Sequence, residues 1–312
     1  VAVLPAYPAL GRQVLGGGLW VHGRRLDRTE YFKDPLSPAK VWRPGDLFQG
    51  APKAHVPLSA VAGGLGPLRR GLRRALASGA RFVTFDCAEG VHVENIARAC
   101  LAEGCRHFAG AADLGGALAA RLLGPAKPAV RPKGLPWMLL AGSVSATTFG
   151  QLEAWRAEGR PWKARLNRDA AGGWREAGTK DKAALRKLLR REGALALSSL
   201  ARRDDLRRWR ATQTRLGRTA QRCAHEAMDA LVRWGLAVAG GPSRCGWFVT
   251  GGHTLKALDD AAGFRRFRIT GEVLPEVPLG LAEGPKESAW LCSKPGGFGP
   301  ADCFTRFMEA HS

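Results

Sequence analysis

Three short strings combine glycine, hydroxyl and lysine side chains at points where apolar runs end. Gly142-Ser143-Val144-Ser145-Ala146-Thr147-Thr148 follows Trp137-Met138-Leu139-Leu140-Ala141. Thr250-Gly251-Gly252-His253-Thr254 follows Gly246-Trp247-Phe248-Val249, and Ser293-Lys294-Pro295-Gly296-Gly297-Phe298-Gly299 follows Ala289-Trp290-Leu291-Cys292. Glycine lets a backbone come close to a bulky anion, and the first turn of a helix offers free N–H groups to it. The chemistry such strings can do is phosphate binding. Each string alone also reads as ordinary structure: a Ser/Thr-capped turn, a tight glycine turn, a glycine-rich connection. Three of them at strand ends are more telling together, because they can converge on one nucleotide. None is a GxxxxGK[ST] loop, and the GxGxxG fingerprint with its downstream acid is absent, which argues against a dinucleotide site.

Those turns need elements to hold them. Arg81-Phe82-Val83-Thr84-Phe85-Asp86-Cys87 predicts a strand rich in aromatic and β-branched residues. A helix follows over 91–103, with Val93, Ile96, Ala97, Cys100 and Leu101 on one face. A short strand over 106–109 leads to a helix ending at 123, for which Asp113 is the expected N-cap. Residues 124–134 hold Gly124, Pro125, Pro128, Pro132 and Gly134 and read as a linker. Beyond it come a buried strand over 137–141 and a helix capped by Ser145 or Thr147. A basic helix over 180–192 and a buried strand over 194–200 follow. The clearest helix spans 214–234, with Leu216, Ala220, Cys223, Ala227, Leu231 and Trp234 at spacings of three and four. Then come a strand over 246–250, a helix from Thr254, strands over 267–273 and 289–292, and a closing helix over 300–311 with Pro300 near its start. This alternation predicts an α/β chain of two α/β domains with largely parallel sheets, divided as 1–124, a linker 125–134, and 135–312. Ligands of such sheets sit at the carboxyl ends of the strands, where the three strings lie.

The composition narrows the classes. The chain has 312 residues, 45% hydrophobic and 24% charged, enough for packed cores rather than overall disorder. No stretch reaches the ~20 apolar residues of a membrane-spanning helix. Seven cysteines at scattered spacings form no CxxC pair, and seven histidines form no HxH or HxxxH. That gives neither a disulfide framework nor a metal-ligand set, and the expected setting is a reducing cytoplasm. The net charge is +21, arginine outnumbers lysine, and more than half of the excess falls in residues 151–222. A basic face suits nucleic acid or an anionic substrate, or is simply solvated helix surface. Acids interrupt the segment, as in Arg202-Arg203-Asp204-Asp205, and no RNA- or DNA-binding signature appears, so nucleic-acid binding ranks last. The opening, Val1-Ala2-Val3-Leu4, reads as the end of a strand, and the expectation is a fragment of a longer protein.

The strings also carry a resemblance. Pro5-Ala6-Tyr7-Pro8-Ala9-Leu10-Gly11-Arg12 resembles the PAFPxxGR segment of the four-carbon acid sugar kinases. The run Leu26 through Asp34 to Pro38 is similar to that family's pLxeTefarDplnP, and Phe85-Asp86-Cys87-Ala88 to its vDAet strand end. The string 141–148 resembles GSxSxxT, and 250–254 resembles TGGxT. Gly271-Glu272-Val273-Leu274-Pro275-Glu276-Val277-Pro278 is similar to GEiePGvP, and 294–299 to KxGgFG. The motifs occur in family order over nearly the whole chain. The resemblance implies an amino-terminal sugar-acid-binding domain over 1–124 and a carboxyl-terminal nucleotide-binding domain over 135–312. It implies Mg²⁺-assisted phosphoryl transfer from ATP to the terminal hydroxyl of threonate, erythronate or a 3-oxo-tetronate. The ATP contacts it implies fall on Ser143, Ser145, Gly251, Gly252, His253, Thr254, Gly296 and Gly297, with Lys294 as an extra cation. A homodimer is the assembly it allows.

There are departures. The family's opening acidic turn, DDxTGA-like, and its K-x-DSTLRG-like segment would precede Pro5, so the first domain is expected to be truncated at its start. The acid of TGGDT or TGGET is His253 here, and the GSAGLA segment reads Gly110-Ala111-Ala112-Asp113-Leu114-Gly115. The catalytic base is therefore unassigned, and a nucleotide-binding relative with impaired catalysis is the alternative expectation. Arg12 is the candidate for a bidentate contact to a substrate carboxylate, or else buttresses the first turn. Asp86 either contacts substrate or caps the turn after its strand. Asp34 is read as fixing its Pro-bracketed loop.

Overall fold

The computed structural model describes residues 1–33, 38–124, 132–142, 145–164, 178–199, 211, 214, 217–274 and 277–310. The chain divides into two compact units, Val1–Ala126 and Lys127–Ser312. Most of the expected linker, residues 125–131, lies outside the described residues, as do Asp34, Ser143, Leu216 and Arg202-Arg203-Asp204-Asp205.

In the first unit, strands β1 (Ala2–Leu4), β5 (Lys53–Val56), β6 (Phe82–Phe85) and β7 (Phe108–Gly110) form a sheet in the order β5-β6-β1-β7. Every pairing is parallel. The central β1 is three fully apolar buried residues, as a strand covered on both faces requires. Helices Gly90–Ala102 and Ala112–Leu123 match the expected periodic segments to within two residues. Asp113 is not the cap of the second. Ala111 takes that place because its N–H is drawn to Leu4 O at 3.1 Å, so the helix starts one residue before Asp113.

The sequence reading contains no helix over Leu65–Ala77, yet one forms and buries Leu68, Leu72 and Ala75 at spacings of four and three. Gly66, Pro67 and Gly71 hide its period. Pro67 is tolerated because first-turn N–H groups need no helical partner. A second, antiparallel sheet of β2 (Arg12–Leu15), β3 (Gly18–Val21) and β4 (Arg24–Arg25) joins the first through a bridge between Val14 and Cys87.

The second unit is built on seven strands: β8 (Trp137–Ala141), β9 (Trp162–Ala164), β10 (Ala194–Ser198), β11 (Gly246–Thr250), β12 (Arg266–Leu274), β13 (Val277–Glu283) and β14 (Ser288–Lys294). Their order is β12-β13-β14-β11-β8-β10-β9. Five are parallel, and β12 and β13 form an antiparallel edge. The architecture is α/β with largely parallel sheets. β8, β10 and β11 are buried at every residue, which explains why they read as unbroken apolar runs. β13 escapes sequence reading because Pro278 and Gly280 interrupt it. Gly280 is needed there, since a Cβ would collide with the carbonyl oxygen of Arg268 on β12.

Three helix boundaries differ from expectation. The long helix is Ala220–Ala239 rather than 214–234: Gly217 sits at φ +63°, and the Thr219 side chain accepts the N–H of Arg222 as cap. Its core face, Cys223, Ala227, Leu231 and Trp234, is buried as its period predicts. The helix after β11 is Gly252–Ala262 and starts two residues before Thr254. The last helix is Cys303–Glu309, without Pro300 at its start, because Gln151 Nε2 holds the carbonyls of Phe298, Gly299 and Pro300 outside it.

Candidate functional site

β14, β11 and β8 are neighbours although far apart in sequence, and their registers pair Thr250 with both Ala141 and Lys294. The three strings thus leave the carboxyl edge of one sheet side by side. Gly251 N–H bonds to Lys294 O at 2.9 Å and ties the second turn to the third. Ser145 caps the helix Ala146–Ala157 by accepting Thr148 N–H, one of its two expected caps. Its hydroxyl also donates to Gly296 O at 2.7 Å, and Thr148 Oγ1 reaches the same carbonyl at 2.9 Å. Thr148 and Thr250 hydroxyls meet at 3.1 Å. These hydroxyls therefore lock the glycine loop 295–299 onto the first turn.

The middle turn is the open one. Gly251 has φ +97°, a conformation side chains resist, and its strain-free use needs glycine. A Cβ at Gly252 would meet nothing within 4 Å. Thr254 is 0% exposed, and its Oγ1 has no hydrogen-bond partner among the described residues. Gly142 packs directly on that side chain, so a Cβ at Gly142 would strike the Thr254 hydroxyl. His253 is exposed, with its ring 5.9 Å from that of His225. A bare helix start, an open glycine and an orphaned buried hydroxyl form a cradle with unspent donors.

Lys294 is buried at 3% exposure, and its ammonium turns onto Pro295 O at 3.1 Å and Gly296 O at 3.4 Å. Burial pushes its pKa down to about 8, against the opposing pull of the Cys303 thiol. The side chain holds the loop from within. Gln151 holds the same loop through three carbonyls, and no sequence signal marks it: it is one glutamine on a helix whose role depends on a loop some 150 residues away. Gly296 and Gly297 accept from Ser145 and Thr147 respectively.

In the first unit, Asp86 lies at the carboxyl end of β6 with 3% exposure. Oδ1 accepts Gly17 N–H at 2.9 Å and lies 3.2 Å from His55 Nε2, and Oδ2 accepts Leu58 N–H at 3.0 Å. Burial would raise its pKa, but the hydrogen bonds from His55, Gly17 and Leu58 outweigh that and hold it below the ordinary range. The carboxylate thus pins the start of the helix Leu58–Ala62 and the β2–β3 turn, not the turn after its own strand. His55, on an edge strand, went unread in the sequence. Arg12 begins β2, with its guanidinium 5.2 Å from the Tyr31 ring centre.

Comparison with known proteins agrees with this division. A model described as the sugar-binding N-terminal domain matches residues 1–121, and one described as the nucleotide-binding C-terminal domain matches residues 138–304, more than half of the chain. The chain belongs to the four-carbon acid sugar kinase family. The family includes a 3-oxo-tetronate kinase of Cupriavidus necator, 28% identical over 98% of this chain and 70% of that protein. A D-threonate kinase of Salmonella typhimurium is also 28% identical, over 95% of this chain and 70% of its own length. A solved Salmonella typhimurium structure shares the fold, with a TM-score of 0.73 at 22% identity, over all of this chain and 73% of that one. No helix among the described residues is long and apolar enough to cross a membrane.

Proposed function

We propose that this chain is an ATP-dependent kinase that phosphorylates the terminal hydroxyl of a four-carbon sugar acid of the threonate, erythronate or 3-oxo-tetronate type. The observation that carries this reading is the cradle at Gly251, Gly252 and Thr254 on a sheet edge shared with the other two turns. Phosphoryl transfer asks a protein for positioning and charge neutralisation more than for covalent chemistry. The amides at the start of Gly252–Ala262 meet the phosphates with the positive end of a helix dipole, and the buried Thr254, packed beneath Gly142, holds that helix start against the first turn. Ser145, Gly296 and Gly297, which the hydroxyls of the first turn tie together, are the neighbouring contacts in this reading, and the exposed His253 is a further one. Lys294 acts by holding the loop. Ser143, also expected at the nucleotide, lies outside the described residues.

The donor set at these turns is hydroxyls, amides and one lysine. Among the described residues no group of three or more His, Cys, Asp or Glu could hold a metal. None of the three turns carries a carboxylate, so Mg²⁺ enters this reading as the counter-ion of ATP. Arg12 is the group proposed for the substrate carboxylate. The alternative, a nucleotide-binding relative with little turnover, is favoured by Asp86, whose two oxygens are already taken by Gly17, His55 and Leu58.

The test is ADP release from ATP with each four-carbon sugar acid, alongside calorimetry of ATP binding to wild type and Gly252→Trp. A Cβ at Gly252 meets open space, so the substitution is expected to abolish binding while the melting temperature holds. ADP release with one acid supports the kinase. ATP binding without turnover supports the alternative, and no ATP binding removes both.

A further inference from the structure

The carboxyl end of the helix Gly90–Ala102 holds two thiols together. Gly104, at φ +74°, turns the chain back, its N–H bonding to Leu101 O at 3.1 Å, and Cys105 N–H reaches Cys100 O at 2.9 Å. This pair of bonds is the Schellman cap, which brings the residue after the glycine against the last turn of the helix. Here both residues so joined are cysteine, and the Cys100 and Cys105 thiols share a hydrogen bond. The loop between them is anchored. Glu103 accepts from Arg69 Nε at 2.6 Å and from Arg73 Nε at 2.7 Å, both on the helix Leu65–Ala77. The sulfurs are thus already neighbours, which is the condition for a bridge that does not distort the backbone.

The two thiols differ in environment. Cys100 is 0% exposed in the core of the first unit, whereas Cys105 is half-buried. Their hydrogen bond leaves the proton on Cys100 and lowers the pKa of Cys105, while burial and the Glu103 carboxylate oppose that lowering. Among the seven cysteines only Cys105 is not buried. Burial raises the thiols of Cys87, Cys245, Cys292 and Cys303. The thiolate is the reactive form, and a reagent must also reach it.

We propose that Cys100 and Cys105 form a peroxide-reactive modification site that closes to a reversible disulfide. The Cys105 thiolate attacks hydrogen peroxide: the O–O bond breaks, the sulfur is oxidised to the sulfenic acid, and hydroxide leaves. The Cys100 sulfur then attacks the Cys105 sulfur. The S–O bond breaks, the S–S bond forms, and the departing hydroxide takes the Cys100 proton to become water. One peroxide is reduced, two thiols are oxidised, and a thiol reductant reverses the step. In the reducing setting expected for this chain such a bridge is transient rather than part of the framework. The site lies within the first unit and does not depend on the nucleotide reading.

Trypsin cuts after Arg98 and Arg106, so both thiols fall in one peptide, residues 99–106. The full chain is treated with equimolar hydrogen peroxide, quenched, unfolded in iodoacetamide and digested for mass spectrometry. The expected peptide is lighter by two hydrogens than the reduced form and carries no alkyl group. Dithiothreitol before alkylation should restore both labels. Oxidation of this peptide is expected to run at least about tenfold faster than that of any other cysteine, whose thiolate is scarcer and shielded. Cys105→Ser should leave Cys100 alkylated, and Cys100→Ala should stop at a Cys105 sulfenic acid that dimedone traps. A 99–106 peptide that stays doubly alkylated, or is oxidised no faster than the others, overturns the proposal. So does sulfinic acid at Cys105 with Cys100 still alkylated, since that product needs no partner thiol. The wild-type measurement decides by itself, so a Cys100 variant that fails to fold leaves the test intact.

Discussion

Asp86 shows how a residue chosen for chemistry can be spent on structure. Both of its oxygens receive backbone N–H groups, from Gly17 and Leu58, and His55 adds a third contact. Asp86→Asn turns a donor toward one of those N–H groups and leaves it unpaired, at a cost of about 1–3 kcal/mol. The pH dependence follows from its depressed pKa. The folded state holds the carboxylate ionised below the ordinary value near ~3.9, so its contribution is full above that value and is lost as pH falls further. Urea unfolding of wild type and Asp86→Asn should show a gap at pH 7 that closes in acid. The strand end was legible in Phe82-Val83-Thr84-Phe85. The partners were not, because Gly17 and His55 reach Asp86 from other strands and turns, and nothing in their spacing marks them.

At the scale of elements, the nucleotide edge depends on how closely the first turn approaches the helix after β11. Gly142 has room for no Cβ, since Thr254 occupies that space. Gly142→Ala must push the helix start away or distort the end of β8, and an overpacked contact of this kind costs about 1–3 kcal/mol. The expected result is a lowered melting temperature together with weakened ATP binding. Gly252→Ala, where a Cβ meets open space, should leave stability nearly unchanged, which makes the pair a direct check. The strands β8, β11 and β14 and their turns were all legible as apolar runs followed by glycine and hydroxyls. The helix Leu65–Ala77 and the strand β13 were not, because glycine and proline inside them mask a period that packing nevertheless enforces.

At the scale of the molecule, each unit has its own core. One gathers Leu4, Leu68, Phe85 and Ile96, and the other packs Met138, Leu195, Leu231 and Trp247 on one side of its sheet and Trp155, Phe248 and Phe304 on the other. Two cores predict two unfolding steps. A ligand that binds one folded unit raises the stability of that unit by mass action. Scanning calorimetry with saturating ATP should move one transition upward and leave the other in place. A shift of neither would contradict nucleotide binding by this chain. The excess of arginine accompanies this arrangement without explaining it: much of it sits on exposed helix faces, as in Arg70 and Arg74 opposite Leu68 and Leu72.

The sequence by itself determined the α/β alternation, the motifs at the strand ends and the order in which they occur, because backbone periodicity and glycine conformations are local. Tertiary structure alone decided that β14, β11 and β8 stand side by side and that Lys294 turns inward onto its own loop. It alone also turned Asp86 toward Gly17 and Leu58 and brought the His225 ring against that of His253. Strand order and side-chain destination are set by burial and pairing between segments a hundred residues apart, and no local pattern encodes which distant carbonyl or amide a buried polar group will find.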